Sequence, residues 1–195
     1  MAAYLITGNP GAGKTAMTAE LIRRGRRALD SDDIAGWVDA SGDPARQPQN
    51  VTASWLASHH WVWTRAAFEQ AIEAAGTEQM FFCGIAINQE EMLDLFDLTF
   101  LLAIDARTQI ERLNTAANAD RNAAQRAQII AGRPVFEEKM RRAGAVVLDG
   151  RLPTSTLTTA VLRAVPARIE TLTDVRPTQR HAPISARRPR QTGPG

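Results

Sequence analysis

The sequence predicts an α/β fold, a three-layer sandwich in which a five-stranded parallel sheet carries helices on both faces. Three observations predict it. Short apolar runs alternate with segments of helical periodicity along most of the chain. The apolar runs lack the in–out alternation of a half-exposed strand, as expected for strands buried on both faces. A glycine-rich turn sits directly between the first apolar run and the first helical segment.

Taken in order, residues 3–7 are an apolar run that ends at Gly8 and predicts a buried strand. A helix follows from Thr15 to Arg24, closed by Gly25. Ala28-Leu29-Asp30 predicts a short second strand that leads into Asp30-Ser31-Asp32-Asp33. Residues 39–54 are polar, contain Pro44 and Pro48, and predict a long loop within an insertion over 39–63. Phe68, Ala71, Ile72 and Ala75 share one face of a helix predicted from Trp61 to Ala75 and stopped by Gly76.

Met80-Phe81-Phe82-Cys83 predicts the third strand, closed by Gly84, and Glu90 to Phe96 a short helical turn. Leu98 to Ile104 predicts the fourth strand, Arg107 to Ala117 a helix, and 118–122 a loop. The stretch from Ala123 to Ala143 is helical, with a break or restart expected at Gly132-Arg133-Pro134. Ala145 to Leu148 predicts the fifth strand and Thr154 to Val165 the last helix. Residues 1–165 therefore read as one domain and 166–195 as a disordered basic tail rich in Pro and Arg.

A chain of 195 residues, 44% hydrophobic and 23% charged, has enough apolar surface for one real core. Its single cysteine, Cys83, excludes an intramolecular disulfide and leads to the expectation of a reducing, cytoplasmic home. No apolar run is long enough to span a bilayer. The opening Met1-Ala2-Ala3-Tyr4-Leu5-Ile6 has no basic leader and is not read as a signal peptide. Residues 1–165 carry 17 Lys/Arg against 19 Asp/Glu, whereas 166–195 carry 6 Arg against 2 acids. The domain itself is thus slightly acidic, which argues against a nucleic-acid surface on it. No membrane partner is expected, and a monomer or homodimer is.

The segment Gly8-Asn9-Pro10-Gly11-Ala12-Gly13-Lys14-Thr15 matches G-x-x-x-x-G-K-[ST] in full. A triphosphate is a dense anion, and a glycine-rich turn lets several backbone N–H groups point inward at it. The helix that follows adds the positive end of its dipole. The expected nucleotide contacts run from Gly8 through Ala16, with Lys14 reaching the β- and γ-phosphates of ATP and the Thr15 hydroxyl ligating Mg²⁺. The strand before and the helix after are the context this motif requires.

Asp30 and Asp32 stand at the carboxyl end of the second strand, where open α/β sheets bind ligands. Residues two apart on an extended segment point the same way. One carboxylate is then expected towards Mg²⁺ or its waters and the other towards an acceptor hydroxyl. The competing reading is a solvated turn rich in Asp.

These residues carry a resemblance. The phosphate-binding loop, Asp30-Ser31-Asp32 followed by Trp37, Phe82-Cys83-Gly84 followed by Asn88-Gln89, and Glu111-Arg112-Leu113 resemble the nucleoside monophosphate kinase and shikimate kinase group of P-loop proteins. The likeness covers roughly residues 3–165, and a small-domain branch of the group looks closest. It implies a P-loop NTPase fold and an ATP- and Mg²⁺-dependent phosphotransferase. It also implies that Asp30 and Asp32 serve Mg²⁺ and the acceptor, that Trp37 and the loop from Gly84 to Asn88 and Gln89 line the acceptor pocket, and that a lid over 114–127 brings arginines onto the phosphates. The sequence departs from the group in that lid, which is rich in Ala and Asn and offers Arg121 and Arg126 as its cations.

Other features keep two readings. Leu101-Leu102-Ala103-Ile104-Asp105 fits a strand ending in a metal-binding aspartate, and equally an ordinary buried strand. Trp37, Trp55, Trp61 and Trp63 fall within 27 residues and serve either to stack on a flat acceptor or to pack the subdomain. His59-His60 reads as a loop or helix start rather than a metal pair, because adjacent residues on a helix diverge. Arg141, Arg142 and Arg151 flank the fifth strand, either near a nucleotide base or on a solvated face.

The activity these readings favour is transfer of the γ-phosphoryl group of ATP to a nucleotide, nucleoside or other small hydroxylated metabolite. The alternative is a nucleotide-binding assembly or regulatory ATPase with no small-molecule acceptor.

Overall fold

A computed structural model of the chain describes residues 2–115 and 121–166. The tail expected after 165 lies outside the described residues except for Pro166, and so do 116–120 of the predicted lid.

Five strands form one parallel sheet. They are β1 (Ala3–Thr7), β2 (Arg27–Asp30), β6 (Met80–Cys83), β7 (Leu98–Ala103) and β8 (Val146–Asp149), in the order β2-β6-β1-β7-β8. The register places Thr7 beside Leu101 and Ile6 beside Cys83, so the carboxyl ends of the strands align along one rim. Helix α1 (Lys14–Arg23) and helix α6 (Thr154–Ala164) cover one face. There Met17, Leu21, Leu157 and Val161 pack on Tyr4, Ile6, Phe81, Phe100 and Leu102. Helix α3 (Arg65–Ala75) covers the other face through Phe68 and Ala75 against Leu5 and Phe82. Phe68 meets Phe82 and Phe96 edge-on at 4.9 and 5.4 Å. Each such pair adds about 0.5–1.5 kcal/mol beyond its buried area. The three-layer sandwich predicted from the alternating pattern is the fold observed.

Cys83 behaves as a small hydrophobe: it is fully buried, and burial pushes its thiol up to about 12.

The insertion differs from the expected long loop. Strands β3 (Ala35–Asp39), β4 (Pro44–Ala45) and β5 (His59–Trp63) form a second, antiparallel sheet in the order β4-β3-β5. A short helix α2 (Ala53–Ser58) precedes β5, with the Thr52 hydroxyl accepting from the Trp55 N–H as its cap. Trp61 therefore belongs to a strand, and α3 starts at Arg65 rather than Trp61. In His59-His60-Trp61-Val62-Trp63 the aromatic and β-branched residues suit a pleated surface, and pairing with β3 decides for it. His59 and His60 lie on this strand, not at a loop or helix start.

Helix α4 (Ala106–Leu113) follows β7, and α5 (Ala123–Arg142) runs unbroken through Gly132-Arg133-Pro134. The break expected there does not occur. An interior proline costs about 3 kcal/mol, and tertiary contacts on either side oppose it. Arg133 Nη1 donates to the Ile104 carbonyl at 3.3 Å, and Glu137 and Met140 are buried. No described helix is long and apolar enough to cross a membrane.

Candidate functional site

The site is built where β1 ends and α1 begins. Gly13 occupies the cap position of α1 at φ 99°, a left-handed conformation that favours glycine, and no side chain caps the helix. The first N–H groups of α1 therefore keep their hydrogen-bonding capacity for a ligand. Lys14 Nζ donates to the carbonyl oxygens of Gly8 at 2.8 Å and Asn9 at 3.4 Å, so the lysine lies along the loop it follows. The turn is tightened by the Ala12 N–H bonding the Asn9 carbonyl at 2.9 Å. Pro10 and Gly11 are held from outside. Gln109 Nε2 donates to the Pro10 carbonyl at 3.4 Å and Arg112 Nη1 to the Gly11 carbonyl at 3.0 Å.

From the neighbouring rim, β2 delivers the carboxylates. Thr15 Oγ1 donates to Asp30 Oδ2 at 2.9 Å. The other oxygen, Asp30 Oδ1, accepts the Asp32 N–H at 3.2 Å and caps a 3₁₀ turn over Ser31–Ile34. Asp32 thus sits on a capped turn, not on the extended segment the sequence suggested. Its carboxylate still reaches the cleft, within electrostatic range of Lys14, Asp30 and Arg121. Trp61 Nε1 approaches Asp32 Oδ1 at 3.4 Å.

Four charges share this cleft, and they perturb one another. Burial lowers the Lys14 ammonium to about 8, against the pull of Asp32 and Asp30 and with the push of Arg121. The walls of the cleft raise the Asp32 carboxyl above its usual range, and Asp30 adds to the rise while Lys14 opposes it. A raised carboxyl beside a lowered lysine makes this cleft the candidate site.

Mg²⁺ suits the donors present. The Thr15 hydroxyl and the Asp30 carboxylate converge, and Mg²⁺ uses one or two protein oxygens with phosphates and waters for the rest. Among the described residues no cluster of three or more His, Cys, Asp or Glu could hold a metal by itself.

The remaining expected residues are placed as follows. Gly84 presses on Ser31 and Trp63; a Cβ there would stand 2.5 Å from Ser31 Cβ and 3.0 Å from Trp63 Cζ2. Asn88 clamps β5, its Oδ1 accepting the Trp63 N–H at 3.0 Å and its Nδ2 donating to the Trp63 carbonyl at 2.9 Å. Gln89 is buried between Thr7, which donates to it at 3.0 Å, and Met140. Trp37 packs edge-on against Trp55 and Trp61 at 4.7 and 5.4 Å; Trp61 also packs against the core cluster, and Trp63 alone of the four is fully buried in it. Ala16 lines a cleft of about 220 Å³ beside the loop. Of the two arginines expected in a lid, Arg121 acts on Lys14 and Asp32, whereas Arg126 bonds Asn114 Oδ1 at 3.3 Å where α4 meets α5. Asp105 caps α4 by accepting the Thr108 N–H at 2.7 Å and pairs with Arg151 at 3.3 Å.

Arg112 is the residue whose place the sequence did not reveal. Its Nη1 bridges the carbonyls of Gly11 and Gly150, at 3.0 and 2.9 Å, and it walls the 220 Å³ cleft with Gly13, Gly150 and Leu152. The available signal was its spacing: Gln109 and Arg112 are three apart on α4 and face the same loop. Arg141 and Arg151 instead line a separate cavity across β8, paired with Glu137 at 3.0 Å and Asp149 at 2.8 Å.

No family model matches the chain, and no curated protein matches it. Among solved structures it is similar to shikimate kinase from Acinetobacter baumannii in complex with shikimate, at 17% identity and TM-score 0.50, over 84% of this chain and 92% of that one. A sugar kinase from a Janibacter species is similar at 17% identity and TM-score 0.51, over 84% and 93%. A deoxyadenosine kinase from M. mycoides matches at 13% identity and TM-score 0.49, over 83% and 97%. The first two likenesses show the fold alone: the chain shares the three-layer architecture of those two structures.

Proposed function

We propose that the chain is an ATP-dependent phosphotransferase that moves the γ-phosphoryl group to the hydroxyl of a small molecule. One observation carries this reading. Asp30 and Asp32 converge with Lys14 and Thr15 at the rim, so a phosphate cradle and a carboxylate of raised pKa share one cleft. A second carboxylate beside the metal-side one is what an acceptor hydroxyl needs to be oriented and to lose its proton.

The triphosphate lies along Gly8 to Ala16, held by backbone N–H groups and the start of α1. Its base and ribose enter the cleft walled by Arg112, Gly150 and Leu152. Thr15 and Asp30 would hold Mg²⁺. That ion supplies charge neutralisation across the phosphates when bound. Asp32 orients the acceptor. As the acceptor oxygen bonds the γ-phosphorus, the bond from that phosphorus to the bridging oxygen of ADP breaks and the acceptor proton passes to Asp32. Lys14 and Arg121 offset the charge that develops on the phosphoryl oxygens. Most of the rate comes from positioning and electrostatics, as in other phosphoryl transfers.

The test is product mass after incubation with ATP, Mg²⁺ and pooled nucleosides, nucleotides, sugars and amino alcohols. Lys14→Ala should abolish turnover in a folded protein. Asp32→Asn should lower transfer by about 10²-fold or more while ATP binding stays near wild type. ADP formation that no acceptor stimulates, with Asp32→Asn fully active, would favour an assembly or regulatory ATPase instead.

A further inference from the structure

The acceptor side of the cleft is short of cations. The two segments that flank it, 31–64 and 84–91, hold six carboxylates and a single arginine. That arginine, Arg46, is exposed and follows β4, at the opposite edge of the small sheet from the strand that carries Trp61. Arg65, at the start of α3, is committed to Asp94 at 2.7 and 3.0 Å and to the Glu91 carbonyl at 2.6 Å. The cations that act on Asp32 are Lys14 and Arg121, and Arg121 acts on Lys14 as well; Lys139 of α5 is committed to Glu90 at 3.0 Å. Residues 116–120 read Ala-Ala-Asn-Ala-Asp and bring no positive charge.

Binding a phosphomonoester or a carboxylate calls for charge-assisted partners, above all a planar arginine fork. Placing such an anion next to Asp32 without one would add like-charge repulsion to the loss of its hydration.

What the acceptor side does offer is aromatic. Trp61 stands directly beside Asp32, its indole N–H 3.4 Å from the carboxylate. Trp37 faces Trp61 across the β3–β5 pairing and braces it edge-on at 5.4 Å. Trp37 is itself fixed by its N–H to Gln47 Oε1 at 2.9 Å and by Trp55, which stacks on His59 at 4.2 Å. Trp37, Trp55 and Trp61 all remain partly open to solvent. Behind Asp32, the Ser31 hydroxyl and the Trp63 indole N–H are buried without a hydrogen-bond partner among the described residues, and both side chains press on Gly84. Rigid tryptophans in a field of carboxylates attract flat faces and cations and repel anions.

We infer that the acceptor is a neutral or cationic hydroxylated ring compound, of the nucleoside or amino-sugar kind, and not a nucleoside monophosphate or a sugar acid. The inference rests on the phosphotransferase reading of the same cleft and narrows it. The ring lies on Trp61 and Trp37, and its hydroxyl meets Asp32.

The experiment uses the full chain with ATP and Mg²⁺ and matched pairs of compounds: nucleosides against their 5′-monophosphates, and amino sugars against sugar acids. Transfer is read by product mass and kcat/KM, and binding by tryptophan fluorescence in the presence of ADP. The uncharged or cationic member of a pair should be preferred by about 10²-fold, as expected when an anion lacks its cationic partners. Trp61→Ala should raise KM for that member by about tenfold or more, the scale of a lost ring-stacking contact, with kcat less affected. Trp61→Phe, which keeps a ring, should restore most of the KM. Equal or better transfer to the monophosphates or sugar acids overturns the inference, as does a fluorescence response to neither class. Should no compound be phosphorylated while neutral or cationic rings still shift the fluorescence and anions do not, the acceptor class stands and the phosphotransferase reading falls.

Discussion

Thr15 Oγ1 lies 2.9 Å from Asp30 Oδ2, joining the first turn of α1 to the end of β2. The two groups come from neighbouring elements, and α1 packs alongside β2 in the fold. If they form one Mg²⁺ seat, Asp30→Asn should raise the Mg²⁺ concentration needed for half-maximal turnover. A rise of about tenfold or more is expected, the scale on which a lost metal-supporting carboxylate weakens metal binding. Titration of turnover with Mg²⁺ at saturating ATP measures it. An unchanged Mg²⁺ requirement would assign the pair to holding the turn over Ser31–Ile34 alone.

Lys14 gives a pH prediction. In the free protein its ammonium is lowered to about 8, so it is charged below that pH and loses its proton above it. A triphosphate favours the charged form and returns the pKa towards the ordinary lysine value of 10.5. ATP binding should therefore take up a proton between these two values, and ATP affinity should fall as pH rises through about 8. Calorimetry at about pH 9 in buffers of different ionisation heat would show the uptake in wild type and its loss in Lys14→Arg, whose guanidinium stays charged. Binding heats that do not depend on the buffer would refute the lowered lysine.

Gly84→Ala places a methyl group 2.5 Å from Ser31 Cβ and 3.0 Å from Trp63 Cζ2. Neither neighbour is the free end of a flexible side chain, so the wall behind Asp32 must shift. Overpacking of this kind costs about 1–3 kcal/mol. The midpoint of urea unfolding should fall accordingly, and KM for the acceptor should rise with it. A variant as stable as wild type would mean that the two walls are looser than their spacing indicates.

Arg121 and Arg126 should separate. Arg121 acts on Lys14 and Asp32, and Arg126 bonds Asn114. Arg121→Ala should lower kcat by about 10²-fold or more, the scale of a lost donor to transition-state charge, with a smaller change in ATP affinity. Arg126→Ala should act mainly on thermal stability, through the α4–α5 junction. Single-turnover rates with both variants decide it, and the reverse ranking would exchange their roles.

The sequence by itself determined the sandwich and the glycine-rich turn between β1 and α1. Both depend on signals that neighbouring residues carry: buried strands as unbroken apolar runs, helices as a 3.6-residue period, and the turn as eight consecutive residues whose backbone geometry needs glycine at Gly8, Gly11 and Gly13. Asp30 and Asp32 were legible as candidates for the same reason, since Asp30 ends β2 and Asp32 stands two residues beyond it. Only the tertiary structure decided the rest. His59–Trp63 became a strand because β3 was there to pair with it, and Pro134 stayed inside α5 because Arg133, Glu137 and Met140 hold both sides of it. Arg112 reached the loop by folding α4 back across 101 residues of chain, and Trp61 reached Asp32 across 29. A contact between residues so far apart leaves no periodic trace in sequence, because its partner is chosen by the packing of whole elements and not by the residues beside it.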